Sequence, residues 1–275
     1  SRAVDTPGAF PLISNRQAPA ILLDANDASV VKIAAKALVS DIEMVSEKKQ
    51  ELITYVEKYH FQIIAGTVGQ SVYIDQLVKT NKLQVKDITR KWESFLITTI
   101  NNPMPGVKLA LVIAGSDPRG TAYGIFEISR ALGVSPWVWW ADAIPAKQSN
   151  LFILPGTFIS KEPSVKFRGI FLNDEDWGLQ PWAAKTVEPE TGDIGPKTYA
   201  RIFELLLRLR ANMIWPAMHD CTKAFFSIPG NTKVAADYAI LIGSSHAEPI
   251  LRNNVSEWKE KTMGHFNYVT NRDSV

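Results

Sequence analysis

Three times in the first half of the chain a short apolar run gives way to a stretch with helical spacing, and nothing in the sequence constrains the fold more. "APAILLD" (residues 18–24) reads as a buried strand. Asp27 stands where an N-cap belongs, ahead of Val30, Ile33, Ala34, Ala37 and Leu38, which share one helix face. "FQIIAG" (61–66) followed by "SVYIDQLV" (71–78) repeats the pair, and so does "KLALVIAGS" (108–116) with a helix from about Thr121 to Leu132. Strands alternating with helices predict a layered α/β domain.

Composition narrows the classes. At 275 residues there is room for one large domain or two ordinary ones. Hydrophobic content of 46% and charged content of 21% exclude a disordered chain. A net charge of +2 argues against a nucleic-acid partner, and no apolar run has the length to span a membrane, so no membrane partner is expected either. The single cysteine, Cys221, excludes an internal disulfide framework and a multi-cysteine metal site. Five of the eight tryptophans fall between Trp137 and Trp182, which fits either core packing or a sugar-stacking surface.

The first domain is expected over residues 1–160. "SPWVWWADAIP" (135–145) would close it as a packing plug between domains, with Trp140 filling a core. The stretch through Pro155 and Pro163 reads as a linker with one hairpin. Residues 43–60 read as a solvated charged stretch. "GSDPRGTAYG" (115–124) has neither the G-x-G-x-x-G pattern nor a Walker lysine, which argues against nucleotide binding. Gly115 and Gly120 would then shape a turn, and Arg119 would pair with Asp117 or brace the second domain.

The second domain, 161–275, shows the same rhythm. "VKFRGIFL" is a strand, and 196–212 is a helix with Pro196 in its first turn and Tyr199, Ile202, Phe203, Leu206 and Leu209 on one face. "NMIWPAM" is a strand ending at His219. A helix over 232–239 and the strand "AILIGSSH" ending at His246 follow. This is the pattern of a (β/α)8 TIM barrel, whose chemistry gathers at the C-terminal ends of the strands. About three of eight strands are present, so the chain is expected to be the truncated front portion of a longer enzyme, inactive alone and with exposed strand edges.

Three strand ends carry the candidate site. The first offers Asp174, Glu175, Asp176 and Trp177, the second Trp215 and His219, the third His246 and Glu248. Paired carboxylates suit glycoside hydrolysis, aromatic faces stack on sugar rings, and histidine donates to hydroxyls or to a carboxylate. The acids alone fit a capping or solvated loop better; the same polar switch at three successive strand ends favours a site. Glu188, on the long loop after the first strand, would hang over it as a substrate contact. His219 and His246 lack the spacing of a helical metal pair, and no metal is expected. A non-catalytic carbohydrate-binding module using Trp177, Trp182 and Trp215 is the alternative; it would not need clustered acids.

The blocks "GSDPRGTAYGIFEISRALGVSPWVWWAD", "RGIFLNDEDWGLQPW", "YARIFELLLRLRANMIWPAMH" and "GSSHAEP" resemble glycoside hydrolase family 115, the xylan α-1,2-glucuronidases. The resemblance implies an N-terminal α/β domain, a catalytic (β/α)8 barrel and further domains in a homodimeric parent. It implies removal of glucuronic acid, or its 4-O-methyl ether, from glucuronoxylan or aldouronic acids with inversion and no organic cofactor. Carried onto this sequence, it implies Asp174 as the pocket acid and catalytic candidate, with His219 and His246 as sugar contacts and further acid–base groups on later strands. A periplasmic or extracellular location is expected.

Overall fold

The computed structural model describes residues 6–15, 18–56, 60–173, 175–244 and 258–275. Its contacts sort into two units, one running to Lys166 and including Leu207–Arg210, the other comprising Phe167–Leu206 and the chain from Ala211. In the first unit, β1 (Phe10–Ile13), β2 (Ile21–Leu23), α1 (Ser29–Ser46), β3 (Leu52–Ile53), β4 (Phe61–Thr67) and α2 (Val72–Lys79) come in order. They are followed by β5 (Phe95–Asn101), β6 (Leu109–Gly115), α3 (Pro118–Ala131), β7 (Leu151–Ile153) and β8 (Thr157–Ile159). Six strands form one sheet in the order β3-β2-β4-β6-β5-β8. β3, β2, β4 and β6 run parallel, while β5 and β8 add antiparallel neighbours.

The strand sequences explain the layering. β4 and β6 pair over seven residues, from Phe61 opposite Leu109 to Thr67 opposite Gly115, and β6 is buried throughout. Successive side chains point to opposite faces. Ile64 and Val112 therefore join Ile74 and Leu77 of α2 in one cluster. Ile113 faces the other way, where Gly124 of α3 lies so close that a Cβ would come within 2.7 Å of the isoleucine. Each such fully buried aliphatic side chain contributes roughly 1.5–3 kcal/mol by leaving water.

Several expectations need correction. Asp27 does not cap α1: the N-cap is Ala28, without a side-chain bond. The Asp27 carboxylate instead accepts from the amides of Ala28 (2.8 Å) and Thr67 (2.9 Å) and from the Thr67 hydroxyl (2.9 Å). α3 begins at Pro118, with Asp117 as its cap accepting from the Gly120 amide at 2.8 Å. Gly120 thus lies in the first helical turn, where a Cβ would sit 2.4 Å from the Ser94 carbonyl oxygen. Its smallness lets the helix approach β5 and does not shape a loop. Arg119 pairs with Glu93 at 2.6 Å.

Residues 43–60 are not simply solvated. Val45 and Ser46 finish α1 in the core, and β3 adds an edge strand whose Ile53 is buried. The expected linker hairpin is absent: β7 pairs antiparallel with β1, and β8 pairs with β5. Trp137 and Trp139 are exposed, and Trp140 is half-buried and does not fill a core.

The second unit holds β9 (Gly169–Phe171), α4 (Leu179–Trp182), α5 (Pro196–Arg208, whose last two residues count with the first unit), β10 (Met213–Trp215), α6 (Asn231–Asp237) and β11 (Leu241–Ile242). The three strands form a parallel sheet in sequential order. Each is shorter than the apolar run that announced it. β10 stops at Trp215 because Pro216 has no amide to donate to a ladder. α5 buries Tyr199, Ile202, Phe203 and Leu206 as expected, but it ends at Arg208 and leaves Leu209 exposed. Asn212 holds β9 beside β10: its Oδ1 accepts from the Arg168 amide at 2.9 Å and its amide donates back at 2.8 Å.

Candidate functional site

The C-terminal ends of β9 and β10 open on the same edge of the parallel sheet. After β9 the Leu172 amide donates to the Trp215 carbonyl at 2.9 Å, Asn173 is exposed, and a 3-10 turn runs from Glu175 to Trp177. Asp176, in that turn, meets His219 from the loop after β10: Oδ1 and Nδ1 are 3.2 Å apart. With the carboxylate ionised, Nδ1 carries the proton and donates it. Both side chains remain partly exposed, 45% for Asp176 and 34% for His219. A pair so open to water adds little stability.

The His219 backbone is fixed independently. Its carbonyl accepts from the Thr222 amide and hydroxyl, both at 2.9 Å. Further along the same loop, the Lys223 amide donates to buried Asp193 at 2.9 Å. At the end of β10 Trp215 is 40% exposed, and its ring stands edge-on to Phe171 with centroids 5.8 Å apart. The indole rests on Gly243, the first residue after β11, where any Cβ would lie 2.5 Å from Trp215 Nε1. The rim therefore combines a carboxylate, an imidazole and an aromatic face, drawn from segments far apart in sequence. That set can accept from sugar hydroxyls, donate to an oxyanion and stack on a pyranose ring.

The other expected site residues fare differently. Asp174, His246 and Glu248 lie outside the described residues. Glu175 starts the 3-10 turn, and Trp177 at its end is 84% exposed. Glu188 corrects an expectation outright. Its side chain does not hang over the rim: the residue is fully buried, and its carboxylate accepts from the amides of Gly195 (2.7 Å), Lys197 (3.2 Å) and Thr198 (3.0 Å) and from the Thr198 hydroxyl (2.6 Å). These are the unsatisfied donors at the start of α5, so the acid caps that helix from eight residues upstream of Pro196 and is closed to a ligand. Glu190 is exposed and pairs with Lys197.

Phe171 and Asp193 escaped the sequence reading. Phe171 carried a usable signal, an aromatic at the last position of a strand. Asp193 carried none: it accepts from the neighbouring Ile194 amide and from the Lys223 amide thirty residues away. Among the described residues no three His, Cys, Asp or Glu side chains gather as a metal would require. Cys221 is exposed and forms no disulfide.

A mixed α/β chain with polar and aromatic groups gathered at parallel strand ends is the class of scaffold on which glycoside hydrolases are built, and the comparisons bear on that class directly. The family model "Glycosyl hydrolase family 115" matches residues 160–275. A solved family GH115 4-O-methyl-α-glucuronidase, BtGH115A, with specificity for decorated arabinogalactans, is 43% identical with a TM-score of 0.83. That alignment covers 96% of this chain and 33% of the other. The structure of CpGH84D aligns at a TM-score of 0.52 and 8% identity over 87% of this chain and 35% of its own, a likeness of fold alone. A comparison with curated proteins finds no match. The chain belongs to glycoside hydrolase family 115. It spans about a third of the length of these solved relatives.

Proposed function

We propose that this chain is part of an α-glucuronidase that removes α-1,2-linked glucuronic acid, or its 4-O-methyl ether, from glucuronoxylan. The observation that carries the reading is the meeting of Asp176 and His219 after the ends of β9 and β10, in a chain of this family. In this reading the second unit supplies the first three strands of a (β/α)8 barrel, and chemistry gathers at their C-terminal ends. Trp215 stacks on the sugar, and His219, oriented by Asp176, donates to the uronate or a ring hydroxyl. Asp174 and His246 are further candidates for contacts to the same sugar. Inversion needs two carboxyls roughly 6.5–9.5 Å apart with water between them. At least one of that pair belongs to later strands, so this chain alone is inactive. The complete polypeptide acts as a homodimer in the periplasm or outside the cell.

The specificity of BtGH115A for decorated arabinogalactans favours a second substrate for the same chemistry. The test is a hydrolysis assay on the complete polypeptide with glucuronoxylan and with arabinogalactan, alongside binding of aldouronic acids. Release of glucuronic acid from one polymer names the substrate, and Asp174→Ala should then lower turnover. Tight binding without release from either would replace the enzyme with a carbohydrate-binding module.

A further inference from the structure

The contact between Asp176 and His219 cannot hold the imidazole in place unaided. Both side chains are open to water, 45% and 34% exposed, so their attraction is weak and readily exchanged for solvent. What fixes the ring must act on the His219 backbone. β10 ends at Trp215, and the chain leaves the sheet through buried Ala217. His219 then opens a turn closed by the Thr222 amide, which donates to the His219 carbonyl at 2.9 Å. The Thr222 hydroxyl donates to the same carbonyl at 2.9 Å, so one side chain doubles the closure. Asp220 and Cys221, inside the turn, are exposed, whereas Thr222 is buried.

The far end of the turn is tied down by an acid that the rim chemistry does not use. Asp193 is 3% exposed; its Oδ1 accepts from the Ile194 amide at 2.7 Å and its Oδ2 from the Lys223 amide at 2.9 Å. Phe225, just beyond, is buried against Tyr199 of α5, with ring centroids 4.7 Å apart. Asp193 in turn stands on a segment knotted by Glu188. The amides of Thr191 and Gly192 donate to the Glu188 carbonyl at 2.9 and 3.2 Å, and the Gly195 amide donates to its carboxylate at 2.7 Å. A continuous path therefore runs from the start of α5 through Asp193 and Thr222 to His219. Its links are backbone groups held by buried side chains, where water competes far less than it does at the exposed pair.

We infer that Asp193 and Thr222 are positioning residues for His219: they fix its backbone so that the imidazole meets Asp176 and the sugar in one geometry. Their effect reaches the sugar only through that ring. The inference rests on the reading of this rim as the glucuronidase site. Its test measures kcat and KM for glucuronic acid release by the complete polypeptide, with urea unfolding to confirm that each variant is folded. Thr222→Val keeps the shape and removes the hydroxyl; it should lower kcat/KM about tenfold, and Thr222→Ser should restore it to within about twofold. Asp193→Asn leaves one acceptor oxygen for two amides and should lower it at least as far. A double-mutant cycle then separates positioning from mere stability. With His219 already replaced by alanine, Thr222→Val and Asp193→Asn should lower turnover no further. A purely structural role would lower it by the same factor in both backgrounds, and that result would overturn the inference. So would wild-type kinetics in folded Thr222→Val while His219→Ala loses turnover. Full turnover in His219→Ala would overturn the rim reading as well.

Discussion

Both units set acids at the C-terminal ends of parallel strands, yet use them in opposite ways. In the first unit Asp24, after β2, accepts from the amides of Asn26 and Val72, both at 2.8 Å. Asp27 accepts from Ala28 and twice from Thr67, and Asp117, after β6, from the amides of Glu93 at 2.6 Å and Gly120 at 2.8 Å. Asp24 and Asp27 are buried. In the second unit Asp176 faces solvent with an imidazole as its partner. An acid at a strand end is therefore ambiguous until the donors around it are known. Backbone amides turn it into a brace; an exposed side-chain partner leaves acceptor capacity for a ligand.

The largest effect expected from this contrast is at Glu188, which belongs with the braces despite its place in the second unit. Glu188→Ala strips an acceptor from three amides and a hydroxyl, and should cost about 3–4 kcal/mol in urea unfolding. A stable variant with weakened sugar binding would move Glu188 to the rim and break the comparison. Asp27→Ala should cost about 2–3 kcal/mol by the same measurement, since Thr67 and the start of α1 lose their link. Asp176→Asn should behave oppositely. Stability should change by no more than about 0.5 kcal/mol, while binding of an aldouronic acid to the complete polypeptide weakens about tenfold, near 1.4 kcal/mol. A large loss of stability there would make Asp176 another brace.

The smallest expected effect is pH-linked. Burial would raise the Glu127 carboxyl, but hydrogen bonds and charge from Arg130 and Arg210 outweigh it and hold it below its ordinary value of 4.5. The carboxylate's contribution is therefore full above that value and is lost as pH falls through the lower folded value. Unfolding midpoints stepped downward from about pH 5 should show a loss below about 1 kcal/mol, given the exposure of Arg130. Glu127→Gln should abolish that component; an unchanged pH profile would contradict the pairing.

Much of the fold was legible because apolar periodicity is a local signal. The runs at 18–24, 61–66 and 108–116 became β2, β4 and β6, and α2, α3 and α5 fell within three or four residues of their expected bounds. β3, β5 and β8 escaped, since "FLITTIN" and two short edges have no helical partner in sequence and join the sheet only through neighbours supplied from elsewhere. The placement of Asp176, Trp215 and His219 at or after strand ends was legible in the sequence; the Asp176–His219 contact was not. The fate of Glu188 was not: an isolated "VEPETGD" reads as a surface loop, and only the start of α5, folded back on it, makes it a buried cap.

By itself the sequence determined which segments become strands and helices, their alternation, and the family to which the chain is similar, because these rest on side-chain type and spacing along a few turns or pleats. Tertiary structure alone decided which acids are braces and which face solvent. That choice depends on backbone amides and side chains tens of residues away, such as Thr67 beside Asp27 and His219 beside Asp176. A carboxylate's role is set by the donors that reach it, and the chain brings those donors only by folding.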